Sequence, residues 1–277
     1  MHNDVVVVIG AGGMGQAIVR RVGSGRSVLL ADSDEHGLGV ATAALESEGH
    51  RATSRRVDVS SPESVRELFH AAIGLGHVVQ VVHTAGVSPA QATSTDILRV
   101  DVVGVALVLE ELGQVITEGG SGVVIASMAG HLAAPLTVEQ EQQLRGTPAA
   151  ELLQLPMIGP YREDHPGAAY AFAKRANQLR VQAASVAWGE RGARVNSISP
   201  GVISTSMGRH ELSSEAGDTM RQMIGVSAAK RLGTPDDIAG VAAFLLGPDA
   251  TFIAGTDILV DGGVVASLRS GPSGPST

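Results

Sequence analysis

Apolar residues recur along this chain in a regular rhythm. Short β-branched runs alternate with longer, Ala-rich stretches in which apolar positions return at helical spacing. The runs predict strands at 5–9, 27–31, 52–57, 78–83, 122–127, 194–199 and 258–260. Several, such as Val5-Val6-Val7-Val8-Ile9, are apolar at nearly every position. Such runs mark strands covered on both faces, as in a parallel sheet. The stretches between them predict helices near 13–23, 34–48, 61–75, 95–118, 168–190 and 235–246. Ser61-Pro62-Glu63-Ser64 and Thr234-Pro235-Asp236-Asp237 are start signals, each a hydroxyl N-cap followed by Pro at the first helical position. Strand–helix alternation over residues 1–267 predicts a single α/β domain built on a doubly wound parallel sheet. The rhythm breaks at 131–167, which holds five prolines, no strand, and an apolar patch at 152–158. That segment reads as an insertion. Residues 268–277, rich in Ser, Gly and Pro, read as a flexible tail.

The first strand runs into Gly10-Ala11-Gly12-Gly13-Met14-Gly15, and a helical pattern follows. Gly10, Gly12 and Gly15 fit G-x-G-x-x-G. That spacing gives a tight turn, close backbone approach to a pyrophosphate, and a helix N-terminus facing the anion. Asp32 ends the second strand, twenty residues after Gly12, where a ribose-binding carboxylate is expected. A carboxylate there accepts the ribose hydroxyls and repels a 2′-phosphate, and the next residue is Ser33, so NAD is favoured over NADP. The alternative is that Asp32 caps the next helix, a task open also to Asp34.

Composition narrows the chemistry. The 277 residues include no Cys, which removes disulfides, thiol catalysis and thiolate metal sites. Zero Cys is compatible with a reducing cytoplasm, the expected location. The formal charge of −8 offers no electrostatic footprint for nucleic acid or an anionic membrane. The early apolar run 5–9 is too short for a membrane span or a secretory segment. No metal site is expected: Glu163-Asp164-His165 has no spaced partner and reads as a solvated turn before a helix.

Aromatic residues are scarce, and the two tyrosines are Tyr161 and Tyr170. Tyr170 has Lys174 four residues on, which places both side chains on one helix face. A free phenol has a pKa near 10, and a neighbouring ammonium favours the phenolate, so the pair is suited to acid/base work; the spacing alone also occurs by chance and reads equally as an exposed Tyr and a solvated Lys.

Eight segments, in this order, resemble the short-chain dehydrogenase/reductase family over residues 4 to 264. They are the helix start at Gly13–Ile18, Val57-Asp58-Val59, Thr84-Ala85-Gly86, the stretch from Val123 through Ser127 to Gly130, Tyr170 with Lys174, the stretch from Arg194 to Gly201, that from Arg231 to Ala239, and that from Gly255 to Gly263. The resemblance implies a Rossmann-type sheet of about seven strands and a homodimer or homotetramer. It implies Tyr170 as general acid/base, Lys174 as the residue that lowers its pKa and holds the nicotinamide ribose, and Ser127 as the hydrogen-bond partner of the substrate oxygen. Gly13 and Met14 would join the glycine turn. Asp58 and Val59 would border the adenine, and Ala85 and Gly86 the adenosine ribose. Pro200, Gly201, Val202 and Ile203, followed by Thr205, would hold the carboxamide.

Three segments depart from the family pattern. The glycine turn is one residue shorter than usual, with Ile9 in place of Thr. The usual Asn-Asn-Ala-Gly reads His83-Thr84-Ala85-Gly86, and His83 reads as a strand-end packing or hydrogen-bonding residue. The family often has Asn where this chain has Asp101, a position that supports the proton relay to the lysine. A negative charge there is expected to raise the Lys174 pKa and alter the pH dependence.

On the substrate side, the 131–167 insertion separates Ser127 from Tyr170. The readings are an apolar lid over the reaction centre built from Leu136, Leu152, Leu153, Leu155, Met157 and Ile158, or else an oligomer contact or a simple surface elaboration. The stretch 205–230 corresponds to the family's substrate loop. Methionines 128, 157, 207, 220 and 223 cluster in or beside these regions and suit a yielding apolar pocket. The expectation is an NAD-dependent oxidoreductase interconverting a secondary alcohol and a ketone on an apolar, cyclic or bulky substrate such as a terpenoid or steroid. The competing readings are an NAD-binding member without turnover, and an epimerase or dehydratase on the same fold.

Overall fold

The structure is a computed structural model, and it describes residues 3–163 and 165–270. Seven parallel strands form one sheet in the order β3-β2-β1-β4-β5-β6-β7. They are β1 (Asp4–Ile9), β2 (Ser27–Asp32), β3 (Arg51–Arg56), β4 (His77–His83), β5 (Ser121–Ile125), β6 (Arg194–Pro200) and β7 (Asp257–Val260). Each matches an expected run to within one or two residues. The longer helices are α1 (Gly13–Val22), α2 (Glu35–Ser47), α3 (Pro62–Leu75), α5 (Val105–Val115), α7 (Val138–Gly146), α8 (Pro166–Gly189), α10 (Gly217–Val226) and α11 (Pro235–Leu246). Shorter ones are α4 (Ser94–Ile97), α6 (Met128–His131), α9 (Ser206–Leu212) and α12 (Val264–Ser270).

The first strand shows why the apolar runs lack alternation. Val5 through Ile9 are all fully buried. Val5, Val7 and Ile9 pack into the layer that holds α3, α5 and α8. Val6 and Val8 point the other way, towards α1, α2 and α11. A strand has period two, so apolar coats on both faces demand an apolar residue at every position. The two start signals act as expected. Ser61 accepts a hydrogen bond from Ser64 N–H, and Thr234 forms a reciprocal capping box with Asp237.

Three features differ from the sequence expectation. The helix expected over 95–118 is divided: α4 leads into a π-helical segment, Leu98–Gly104, and then α5. Residues 268–270, placed in the expected tail, belong to α12, while 271–277 lie outside the described residues. The 131–167 segment carries α7 and two 3₁₀ stretches, Ala149–Gln154 and Pro156–Arg162. Its Leu144, Ala149, Leu152 and Ile158 are buried in the core layer with α5 and α8. Arg180 of α8 ties it down through the carbonyls of Leu144 and Thr147, and pairs with Glu110 at 2.6 Å.

Candidate active site

The sheet order reverses direction between β1 and β4, and the glycine turn lies at the carboxyl end of β1. In open α/β sheets ligands bind at such a switch point. Gly10 adopts φ +106, and a Cβ there would stand 2.3 Å from the Thr84 hydroxyl. A Cβ at Gly15 would stand 2.0 Å from the Gly10 carbonyl oxygen. These two positions close the turn on itself. Gly12 is different: a Cβ there would meet nothing within 4 Å. Gly12 is also the N-cap of α1 and supplies no side-chain cap, which leaves the first-turn N–H groups of the helix facing open space. That concave, donor-lined end fits a pyrophosphate.

Asp32 closes the turn from the side. Its carboxylate accepts the Ala11 N–H at 2.7 Å and the Asp34 N–H at 3.1 Å. The cap of α2 is Asp34, which accepts the His36 N–H, so Asp32 is not the capping residue. Asp58 holds its own turn through Ser60, and Val59 is buried against Gly104 of the π segment. Ala85 N–H donates to the Ile9 carbonyl, which binds the loop after β4 to the glycine turn.

A second group of side chains sits across the same cleft. Tyr170 and Lys174 share a face of α8, with the ammonium 5.1 Å from the ring centroid. Ser127 lies two residues beyond β5 and caps α6, accepting the Ala129 N–H, and it lines the same cleft as Tyr170 and acts to lower the phenol pKa. Asp101 lies in the π segment, fully buried, with Oδ2 3.2 Å from Lys174 Nζ and Oδ1 accepting the Val87 N–H at 2.9 Å. A π turn widens the helix by one residue and is often found at functional sites. Gly86 makes room for the pair, since a Cβ there would stand 3.0 Å from Asp101 Oδ1 and 3.2 Å from Lys174 Nζ.

The charges in this group act on one another. Burial pushes the Tyr170 phenol above its ordinary value. Lys174 opposes that rise, while the carboxylates of Asp101 and Glu211 reinforce it. Burial disfavours the Lys174 ammonium, but Asp101 and Tyr170 outweigh it and hold the pKa above its ordinary value. Burial raises the Asp101 carboxyl against the pull of Lys174. The sequence expectation that a neighbouring lysine lowers the phenol pKa therefore describes one contribution, and the net direction is upward. His83 is buried, and burial together with the Lys174 charge takes its pKa down to about 3. It is a neutral packing residue, and neither ring nitrogen has a hydrogen-bond partner among the described residues.

A cleft of about 240 Å³ lies between the two groups; Met14 represents the glycine turn in its lining, while Gly10, Gly12, Gly13, Gly15, Asp32, Asp58, Val59, Ala85 and Asp101 lie outside it. Met14, Gly86, Ser127, Tyr170 and Lys174 line it, together with the Pro200–Ile203 stretch and Thr205. The Thr205 methyl lies 3.7 Å from where a Gly13 Cβ would be, so the loop after β6 faces the glycine turn directly. Met128, Met207 and Met220 line the cleft as the methionine pattern predicts. Met157 and Met223 do not: Met157 packs with the core layer beneath the insertion, and Met223 against the cluster of Met128, Val202, Val264 and Val265. No described residue of 131–167 lines the cleft, and the apolar residues assigned to a lid are core residues or pack against that core. Tyr161, the other tyrosine, stacks on Phe172 at 4.2 Å and is also absent from the lining. Asp164, part of the expected solvated turn, lies outside the described residues. Thr84, read in the sequence only as part of the Thr84-Ala85-Gly86 segment, donates its hydroxyl to the Gly10 carbonyl. One contributor went unread in the sequence: Glu211 of α9, which carries no local signal because it reaches the cleft only through segments distant in the chain.

Fold and site together define a nucleotide-binding α/β protein with a titratable cluster at the carboxyl ends of its strands. A family model described as enoyl-(acyl carrier protein) reductase matches residues 9–139 and 145–265. The chain is 42% identical over 269 residues to the short-chain dehydrogenase/reductase bsc3 of Alternaria brassicicola, with 97% of this chain and 98% of that one covered. It is 32% identical over 276 residues to the meso-2,3-butanediol dehydrogenase of Serratia marcescens, with 96% of each covered. The solved structure of levodione reductase superposes with a TM-score of 0.75 at 25% identity, covering 96% of this chain and 99% of that one. The chain belongs to the short-chain dehydrogenase/reductase family, whose members are nicotinamide-dependent oxidoreductases acting on alcohols and ketones. Among the described residues, no helix is long and apolar enough to cross a membrane.

Proposed function

We propose that this chain interconverts a secondary alcohol and its ketone with NAD, and that Tyr170 is the general acid/base. The observation that carries the reading is a single cleft lined by Met14 of the glycine turn and by Ser127, Tyr170 and Lys174, with Thr205 of its lining set against Gly13. Gly10, Gly12, Gly13, Met14 and Gly15 would hold the pyrophosphate, Asp32 the adenosine ribose, and Asp58, Val59, Ala85 and Gly86 the surrounding adenosine. Pro200, Gly201, Val202, Ile203 and Thr205 would hold the nicotinamide end, with Lys174 on its ribose. The preference for NAD rests on the Asp32 carboxylate, which repels a 2′-phosphate.

The chemistry that the cofactor supplies when bound is hydride exchange at the substrate carbon. Ser127 donates a hydrogen bond to the substrate oxygen and fixes it beside the Tyr170 hydroxyl. In reduction Tyr170 gives its Oη proton to that oxygen; in oxidation its phenolate takes the proton back. The raised pKa favours the protonated phenol, the form that donates to a carbonyl oxygen. Lys174 stabilises the phenolate, and Asp101 positions Lys174. The methionine-lined wall of the cleft suits an apolar, cyclic or bulky carbon skeleton. The working form is a homodimer or homotetramer in the cytoplasm, as is common in the family.

NADH formation across a panel of secondary alcohols, repeated with Tyr170→Phe, tests the reading. Turnover should fall by about 10²–10⁴-fold, the usual contribution of a positioned acid/base, while NAD binding by calorimetry is retained. Full activity in Tyr170→Phe, or no turnover of any substrate by the wild type, overturns it.

A further inference from the structure

Glu211 is the only carboxylate among the described residues that line the cleft. It sits on α9, half-buried, on the wall formed with Met207, Met220 and Pro89. Its Oε1 accepts a long hydrogen bond of 3.4 Å from the Ala90 N–H, which links α9 to the loop after β4. Among the described residues it has no ion-pair partner. Among the described residues the one cation in the lining, Lys174, is paired with Asp101. The Glu211 charge nonetheless reaches the reacting group, since it contributes to the upward displacement of the Tyr170 pKa.

A carboxylate in this position is not neutral towards its ligand. A substrate that fills the cleft strips water from Glu211, and a purely hydrocarbon face offers nothing in return. A ligand hydroxyl supplies the missing donor. We propose that Glu211 selects substrates carrying a second hydroxyl near the reacting carbinol or carbonyl: a diol or hydroxyketone on an otherwise apolar ring. This rests on the oxidoreductase reading above and narrows it. The methionine wall receives the ring and Glu211 receives the distal hydroxyl, while Ser127 and Tyr170 hold the oxygen that reacts.

Matched probes test the proposal: trans-1,2-cyclohexanediol, cyclohexanol and trans-2-aminocyclohexanol, with the diol and mono-ol pair repeated on a decalin skeleton. The readout is kcat/KM with NAD for the wild type, Glu211→Gln and Glu211→Met, each variant first checked for an unchanged melting temperature. Glu211→Gln keeps the side-chain shape and the acceptor towards Ala90 should the apolar variant unfold. The wild type should prefer the diol over the mono-ol by about 10- to 100-fold, the range of a hydrogen bond to a charged group. In Glu211→Met that ratio should collapse towards one, with Glu211→Gln between. A ratio retained in Glu211→Met, or no preference in the wild type, overturns the proposal. A preference for the amino alcohol alone replaces hydroxyl recognition by charge recognition and also overturns it. Failure of the wild type to oxidise any probe, with Tyr170→Phe identical to it, instead removes the oxidoreductase reading and the proposal with it.

Discussion

Asp101 Oδ2 stands 3.2 Å from Lys174 Nζ, and both side chains are buried. The ammonium beside the Tyr170 ring is therefore shared with a carboxylate, and that carboxylate raises both the phenol and the ammonium pKa. Replacing Asp101 with Asn removes the charge and keeps an acceptor. Oxidation needs the Tyr170 phenolate and so rises with pH through the phenol pKa. In Asp101→Asn the rise in kcat/KM for alcohol oxidation should occur at lower pH than in the wild type. Reduction needs the protonated phenol, so its fall at alkaline pH should move the same way. A pair of pH–rate profiles superposable on the wild type would refute the coupling.

Removing the acceptor as well has a different consequence. Asp101→Leu leaves the Lys174 ammonium buried without its partner, an arrangement that typically costs about 3–5 kcal/mol. Denaturant unfolding should show that loss in Asp101→Leu and a smaller one in Asp101→Asn.

The glycine turn separates folding from binding. Gly15→Ala forces a Cβ to 2.0 Å from the Gly10 carbonyl oxygen, which the turn cannot relieve without moving. It should lower stability by about 1–3 kcal/mol, as overpacked sites do. Gly12→Ala meets no protein atom within 4 Å and should leave the melting temperature of the free protein unchanged. It places a methyl where the backbone meets the cofactor, so NAD binding by calorimetry should weaken at least about tenfold if the pyrophosphate lies there.

Cofactor preference turns on Asp32. Asp32→Ala removes the charge that opposes a 2′-phosphate, and also the acceptor of two backbone N–H groups. The ratio of kcat/KM for NAD over NADP should fall by about tenfold or more, the worth of one charge–charge interaction at close range. An unchanged ratio would mean that Asp32 only holds the turn.

The insertion behaves as a piece of core. Leu152 is fully buried in the layer beside α5 and α8, and no part of the described segment lines the cleft. Leu152→Ala should cost about 2–5 kcal/mol of stability and leave the substrate KM where it was. A raised KM with intact stability would restore the lid.

The sequence alone was enough to place the seven strands: the central ones are coated on both faces and so are apolar at successive positions, short and β-branched, while the exposed edge strand β3, Arg51–Arg56, was legible from its place in the strand–helix alternation. The helix starts at Ser61 and Thr234 were legible for a similar reason, since capping is a local event between residues three apart. The glycine turn, Asp32, Ser127, Tyr170 and Lys174 were likewise readable from spacing and resemblance. What the sequence withheld depends on contacts between distant segments. The division of 94–115 around a π segment aims Asp101 at Lys174, and burial of the Tyr170 phenol, reinforced by the Asp101 charge, turns its pKa upward against the pull of Lys174. An apolar insertion reads identically whatever its apolar face meets, and only the fold places Leu144, Ala149, Leu152 and Ile158 in the core layer, with Arg180 of α8 bonded to the Leu144 and Thr147 carbonyls. Glu211 belongs to the cleft because α9 folds back against the loop after β4. Local pattern fixes which face of an element is apolar, and only tertiary packing fixes what that face, and each charge beside it, meets.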